Sequence, residues 1–114
     1  MKVVIWHNPK CSKSRQAMTL LEEKGITPEV RQYLKDPPSR QELGEALKAL
    51  DRPAMDMVRK REAEFAQAGL TQDSSKSAVL DALAAYPRLI ERPVVFAGGK
   101  ARIGRPTEAI LEIL

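Results

Sequence analysis

The only cysteine and the only histidine of this 114-residue chain lie in one short stretch, Trp6-His7-Asn8-Pro9-Lys10-Cys11-Ser12-Lys13-Ser14-Arg15. Cysteine does its chemistry as a thiolate, and a thiolate is favoured where unpaired backbone N–H groups and the positive end of a helix dipole converge. Cys11 is expected at such a point. The β-branched run Val3-Val4-Ile5-Trp6 reads as a buried strand, Asn8-Pro9 breaks it, and a helical pattern begins near Ser12. A lone cysteine is more often a small buried hydrophobe without chemistry. Here Lys10, Ser12, Lys13, Ser14 and Arg15 are neighbours that an apolar core would exclude, so the residue types point to a nucleophile.

The spacing around Cys11 narrows what that nucleophile can do. A second cysteine three residues on would close an internal disulfide, but Ser14 stands there, which leaves monothiol chemistry in which an external thiol releases Cys11. Ser14 itself is either a first-turn helix serine or a hydroxyl donor to the thiolate. Cysteine-dependent phosphatase loops need an arginine six residues after the cysteine; position 17 is alanine, and Arg15 comes too early and would lie on the helix. His7 either satisfies a backbone group at the strand end or, protonated, lowers the Cys11 pKa, one unit being worth about 1.4 kcal/mol. The second role is the expectation here.

A thiolate without a cradle of its own needs cations from elsewhere if it is to meet an anion. Arg92-Pro93 and Gly104-Arg105-Pro106 flank a hairpin signal, and Arg59 heads the cluster Arg59-Lys60-Arg61. Planar, permanently charged guanidinium groups suit a tetrahedral oxyanion because each binds it through two N–H groups. Lys60 and Arg61 read as solvated side chains.

The elements that must position these residues follow from punctuation and periodicity. Ala17, Met18, Leu20 and Leu21 recur at helical spacing from Ser12 to Glu23, and Lys24-Gly25 reads as the stop. Glu29 to Leu34 alternates like a second strand, so the opening is a parallel βαβ unit with a right-handed crossover. After Lys35-Asp36-Pro37-Pro38, Ser39 and Glu42 form a capping box for a helix with the apolar stripe Leu43, Ala46, Leu47 and Leu50. A short helical segment follows around Phe65, and Ser74-Ser75-Lys76-Ser77 leads into a further helix that Tyr86-Pro87 ends. Leu89 to Phe96 is β-like, Ala97-Gly98-Gly99-Lys100 is a hairpin turn, Ala101 to Ile103 pairs back, and a last helix starts near Pro106. The expectation is one domain over residues 1–114, a mixed four-stranded α/β sheet of the form βαβ plus ββα, with residues 37–86 as a helical insertion.

Composition excludes several classes. Hydrophobic residues make up 43% and charged residues 30%, the balance of a globular domain that folds alone. The formal net charge of +4 comes with only two Tyr, two Phe and one Trp. No basic and aromatic residues interleave as in a nucleic-acid surface, so no nucleic-acid partner is expected. No apolar run is long enough for a membrane span or a signal peptide, and one cysteine fits a reducing compartment, so a cytoplasmic location and no membrane partner are expected.

This order of elements, with a cysteine at the first strand-to-helix turn and a proline opening the third strand, resembles the thioredoxin superfamily. That resemblance implies that Pro93 is cis and lies beside the cysteine. More specifically, His7-Asn8-Pro9-x-Cys11-x-x-Ser14-Arg15, Tyr33-Leu34, Pro37-Pro38-Ser39, Arg59-Lys60, Glu91-Arg92-Pro93-Val94 and Arg105-Pro106 resemble the glutaredoxin-linked arsenate reductase family, especially its short members, across essentially the whole chain. The resemblance implies reduction of arsenate to arsenite through a thioester-type adduct on Cys11, with glutathione as co-substrate, glutaredoxin as partner, and no bound metal or cofactor. It implies oxyanion binding by Arg59, Arg92 and Arg105, and ionisation of Cys11 supported by His7 and Ser14. Two other functions are compatible with a monothiol: a glutathione-dependent thiol-disulfide reductase, and a non-enzymatic redox sensor that binds RNA polymerase. Such sensors use a cysteine pair, which Ser14 breaks.

Overall fold

Strand β1 (Val3–Trp6) runs through the middle of the sheet because three of its four residues are buried. The computed structural model describes residues 2–114. On one side β1 pairs in parallel with β2 (Glu29–Arg31), with Trp6 opposite Arg31; on the other it pairs antiparallel with β3 (Val94–Ala97), with Trp6 opposite Val94. Strand β4 (Lys100–Ile103) completes the sheet antiparallel to β3, in the order β2-β1-β3-β4. The mixed four-stranded α/β sheet is therefore the thioredoxin-like one.

Helix α1 (Ser12–Glu23) makes the crossover between β1 and β2. It ends where Gly25 takes φ 72° and the N–H groups of Gly25 and Ile26 return to the carbonyls of Glu22 and Leu21 at 2.9 Å each, which satisfies the last-turn acceptors. Its inner face, Ala17 and Leu21, packs with Val3, Ile5, Val95, Ala97, Ile110 and Ile113 into one core. That core belongs to the first of two compact units, Met1–Asp36 with Arg92–Leu114.

The second unit, Pro37–Glu91, is helical. Helix α2 (Arg40–Leu50) carries the capping box, Ser39 accepting from the Glu42 N–H while the Glu42 carboxylate accepts from the Ser39 N–H. Helices α3 (Ala63–Gln67) and α4 (Lys76–Ala85) follow. Arg40 ties α2 to α4 through Asp81 at 2.7 Å and Ser77 at 2.9 Å. The unit continues through a 3-10 turn at Pro87–Leu89 to a bridge between Val58 and Ile90, and the Glu91 N–H reaches the Met57 carbonyl at 2.8 Å.

Three boundaries differ from the sequence expectation. Strand β2 stops at Arg31, whose carbonyl accepts from the His7 N–H at 2.8 Å as the last bond to the β1 side; Gln32 to Asp36 turn instead, with two N–H groups on the Gln32 carbonyl. Leu89 and Ile90 do not extend β3, since Arg92-Pro93 separates them from it. The C-terminal element, Thr107–Ile113, is a 3-10 helix with Ile110 and Ile113 as its buried residues. An i, i+3 pair superimposes in a helix of three residues per turn, so two isoleucines suffice to dock it. Among the described residues, no helix is long and apolar enough to cross a membrane.

Candidate active site

The loop from β1 to α1 is built before its cysteine is placed. Asn8 forms a tight turn, its side-chain oxygen accepting from the Lys10 N–H and its carbonyl from the Cys11 N–H, both at 3.0 Å. Cys11 caps α1 in an extended conformation, φ −97° and ψ 124°, and Arg15 reaches back from the first turn to the Pro9 carbonyl at 2.9 Å. The cysteine therefore sits where the first N–H groups of the helix lack internal partners. Burial pushes the thiol up, but the Ser14 N–H, the charge of Arg92, the Lys13 N–H and a hydrogen bond from Arg92 together hold it below its ordinary value.

Two guanidinium groups come to this sulfur from the far end of the same unit. Arg105 donates through Nη2 to Cys11 Sγ at 3.6 Å and through Nε to the Arg92 carbonyl at 2.9 Å. The Arg92–Pro93 and Arg105–Pro106 peptide bonds are both cis. The Gly104 N–H donates to the Pro93 carbonyl at 3.0 Å, and the Thr107 hydroxyl donates to the Gln16 side chain on α1 at 3.1 Å. The end of β4 is thus fastened both to the start of β3 and to the helix that Cys11 caps.

His7 and Ser14 face each other across this loop. The Ser14 hydroxyl is fully buried and lies 2.6 Å from His7 Nδ1, while the Asn8 N–H donates to it at 3.0 Å. Its hydroxyl joins the two sides of the loop; it is the Ser14 backbone N–H that serves the thiolate. Burial and the nearby Arg15 charge lower the His7 pKa, which works against the imidazolium expected from the sequence.

Arg59 belongs to the unit Pro37–Glu91. Its N–H donates to the Leu89 carbonyl at 2.8 Å, and its guanidinium meets the Glu62 carboxylate at 2.6 Å, both side chains being about four-fifths buried at 22% and 18% exposure. Lys60 and Arg61 are exposed. The first unit by itself brings together Cys11, Arg92 and Arg105. Sequence reasoning missed Asn8, the Lys13 N–H, the second cis bond and Gly104; the repeated Arg-Pro pair was a visible signal for the cis bond. Among the described residues, no three His, Cys, Asp or Glu side chains cluster as metal ligands do.

A thiolate held by helix N–H groups and touched by a guanidinium can attack an anion docked against the same guanidinium. The ArsC family model matches residues 6–113. The chain is 44% identical over 115 residues to the uncharacterized protein YfgD of Escherichia coli (strain K12), covering 99% of this chain and 97% of that protein. It is equally 44% identical to an arsenate reductase of Neisseria meningitidis serogroup A, over 99% of this chain and 98% of the relative. Among solved structures, an arsenate reductase from Vibrio cholerae superimposes with a TM-score of 0.94 at 46% identity, covering 100% of this chain and 98% of that one. A family model that spans nearly the whole chain, together with relatives of this identity and coverage, shows that the chain belongs to the ArsC family.

Proposed function

We propose that this protein is a cytoplasmic arsenate reductase that uses glutathione and glutaredoxin, built as a single domain whose insertion, residues 37–86, supplies Arg59. The observation that carries the proposal is the 3.6 Å approach of the Arg105 guanidinium to the Cys11 sulfur in a member of the ArsC family. An oxyanion on that guanidinium is presented to the nucleophile, and Arg59 and Arg92 complete its charge neutralisation.

The chemistry balances as follows. Cys11 forms a bond to arsenic and one arsenate oxygen leaves as water, giving the thioester-like adduct with arsenic still at +5. Glutathione replaces a second oxygen, again lost as water. The glutaredoxin thiol then takes the glutathione sulfur as a mixed disulfide, and the electron pair of the broken sulfur–arsenic bond reduces arsenic to +3. One water cleaves the remaining Cys11–arsenic bond, releasing arsenite and the thiol. The test is arsenite formation with glutathione and glutaredoxin present. Wild type should turn over and Cys11→Ser should not; equal rates would end the proposal.

The partial exposure of Cys11 favours a second reading, a glutathione-dependent thiol-disulfide reductase. Arg59→Ala separates the two: it abolishes arsenate reduction under the first reading and leaves thiol exchange intact under the second.

A further inference from the structure

We infer that Gly104 is a positioning residue for the arginines at Cys11: the space left by its missing side chain seats the Pro93 ring, and that fit holds Arg92 and Arg105 at the sulfur. The inference rests on the proposed reading only for the identity of the anion.

Glycine at 104 is required for room, not for backbone freedom. The glycines with positive φ are Gly25, Gly69, Gly98 and Gly99. A Cβ at 104 would instead stand 2.8 Å from Pro93 Cγ, 3.4 Å from Pro93 Cδ and 3.5 Å from Ile110 Cγ2. The first distance lies well inside carbon–carbon contact. The proline ring is bonded to its own backbone at both ends and cannot swing aside, and the fully buried Ile110 also crowds the added carbon. A methyl group therefore moves backbone.

The backbone that must move carries both guanidinium groups. Arg92 immediately precedes Pro93, Arg105 immediately follows Gly104, and the two segments are joined by the Gly104 N–H to Pro93 carbonyl bond at 3.0 Å and by Arg105 Nε to the Arg92 carbonyl at 2.9 Å. Opening the segments lengthens the Arg105 to Cys11 contact and withdraws the Arg92 charge together. Both changes favour the protonated thiol.

The experiment compares Gly104→Ala with Gly44→Ala, a helical glycine whose added Cβ meets nothing nearer than Leu80 Cδ1 at 3.9 Å. The rate of Cys11 alkylation by iodoacetamide is followed against pH, beside thermal unfolding and the arsenate KM and kcat. For Gly104→Ala the alkylation midpoint should rise by about one pH unit, slowing alkylation about tenfold below the midpoint. Its KM should rise more than its kcat falls, while Gly44→Ala follows wild type. In an Arg105→Lys background the same glycine substitution should add less than it does alone, because part of its effect runs through Arg105. A wild-type alkylation profile in Gly104→Ala overturns the inference, and so does loss of its cooperative unfolding, which would make Gly104 a folding requirement. Alkylation needs no arsenate, so an inactive wild-type enzyme would end the proposed function while this measurement still decided the role of Gly104.

Discussion

The hydroxyl oxygen of Ser14 lies 2.6 Å from Nδ1 of His7, and this short link spans the loop that carries the nucleophile. The Asn8 N–H donates to the same oxygen at 3.0 Å, so one buried hydroxyl satisfies both a ring nitrogen and a backbone donor. Ser14→Ala would leave them without it while keeping the position-14 N–H at the sulfur. We expect a loss of about 1–2 kcal/mol, read as a fall in melting temperature of about 5 °C or more. The alkylation midpoint of Cys11 should move less than it does in Arg105→Lys. A larger shift in Ser14→Ala would mean that the hydroxyl acts on the sulfur directly.

The lowered pKa of His7 makes a signed prediction about acid stability. Its folded pKa lies below its unfolded value of about 6.5, so the stability tied to the neutral ring is complete above that pH. It is lost as pH falls from there through the folded pKa, because the unfolded chain takes up the proton first. Urea midpoints measured from pH 7.5 down to pH 5 should fall more steeply for wild type than for His7→Gln. Parallel curves would refute the assignment.

Arg105 makes two contacts that a lysine cannot make together, one to Cys11 and one to the Arg92 carbonyl. Arg105→Lys retains the charge and loses the fork. The Cys11 alkylation midpoint should rise, and arsenate or sulfate should protect the thiol from alkylation with about tenfold weaker affinity. Unchanged protection would show that charge alone suffices.

In the helical unit, the reciprocal bonds of Ser39 and Glu42 begin α2. Ser39→Ala should cost about 1 kcal/mol, visible in chemical denaturation followed by circular dichroism, with the Cys11 alkylation profile unchanged. A stability equal to that of wild type would show that the cap contributes nothing to the folded state.

How much of this was legible in the residues depended on range. Val3 to Trp6, Ser12 to Glu23 and the Ser39 capping box announce themselves because periodicity and capping are local, and they lie where the pattern places them. The end of β2 was not legible, because the alternating pattern runs on through the turn in which the Lys35 and Asp36 N–H groups close on the Gln32 carbonyl. Thr107 to Ile113 has an apolar pattern that suits either helix type, and docking of Ile110 and Ile113 selected the tighter one. Cys11, Arg92 and Arg105 could be named from side-chain chemistry. The lowering of the His7 pKa could not, since it depends on burial and on Arg15 across the loop. Nothing in the neighbours of Gly104 along the chain tells of the Pro93 ring packed against it.

The contact between Arg105 and Cys11 joins residues 94 positions apart. A chain emerging from the ribosome exposes its thiol first and gains this guanidinium only after a further 94 residues have been made. Until then the cysteine lacks the help of both arginines and reacts more slowly with electrophiles and oxidants. The nucleophile is armed by a segment made long after it, so a chain that has not yet reached Arg105 is spared the reactivity of the folded molecule.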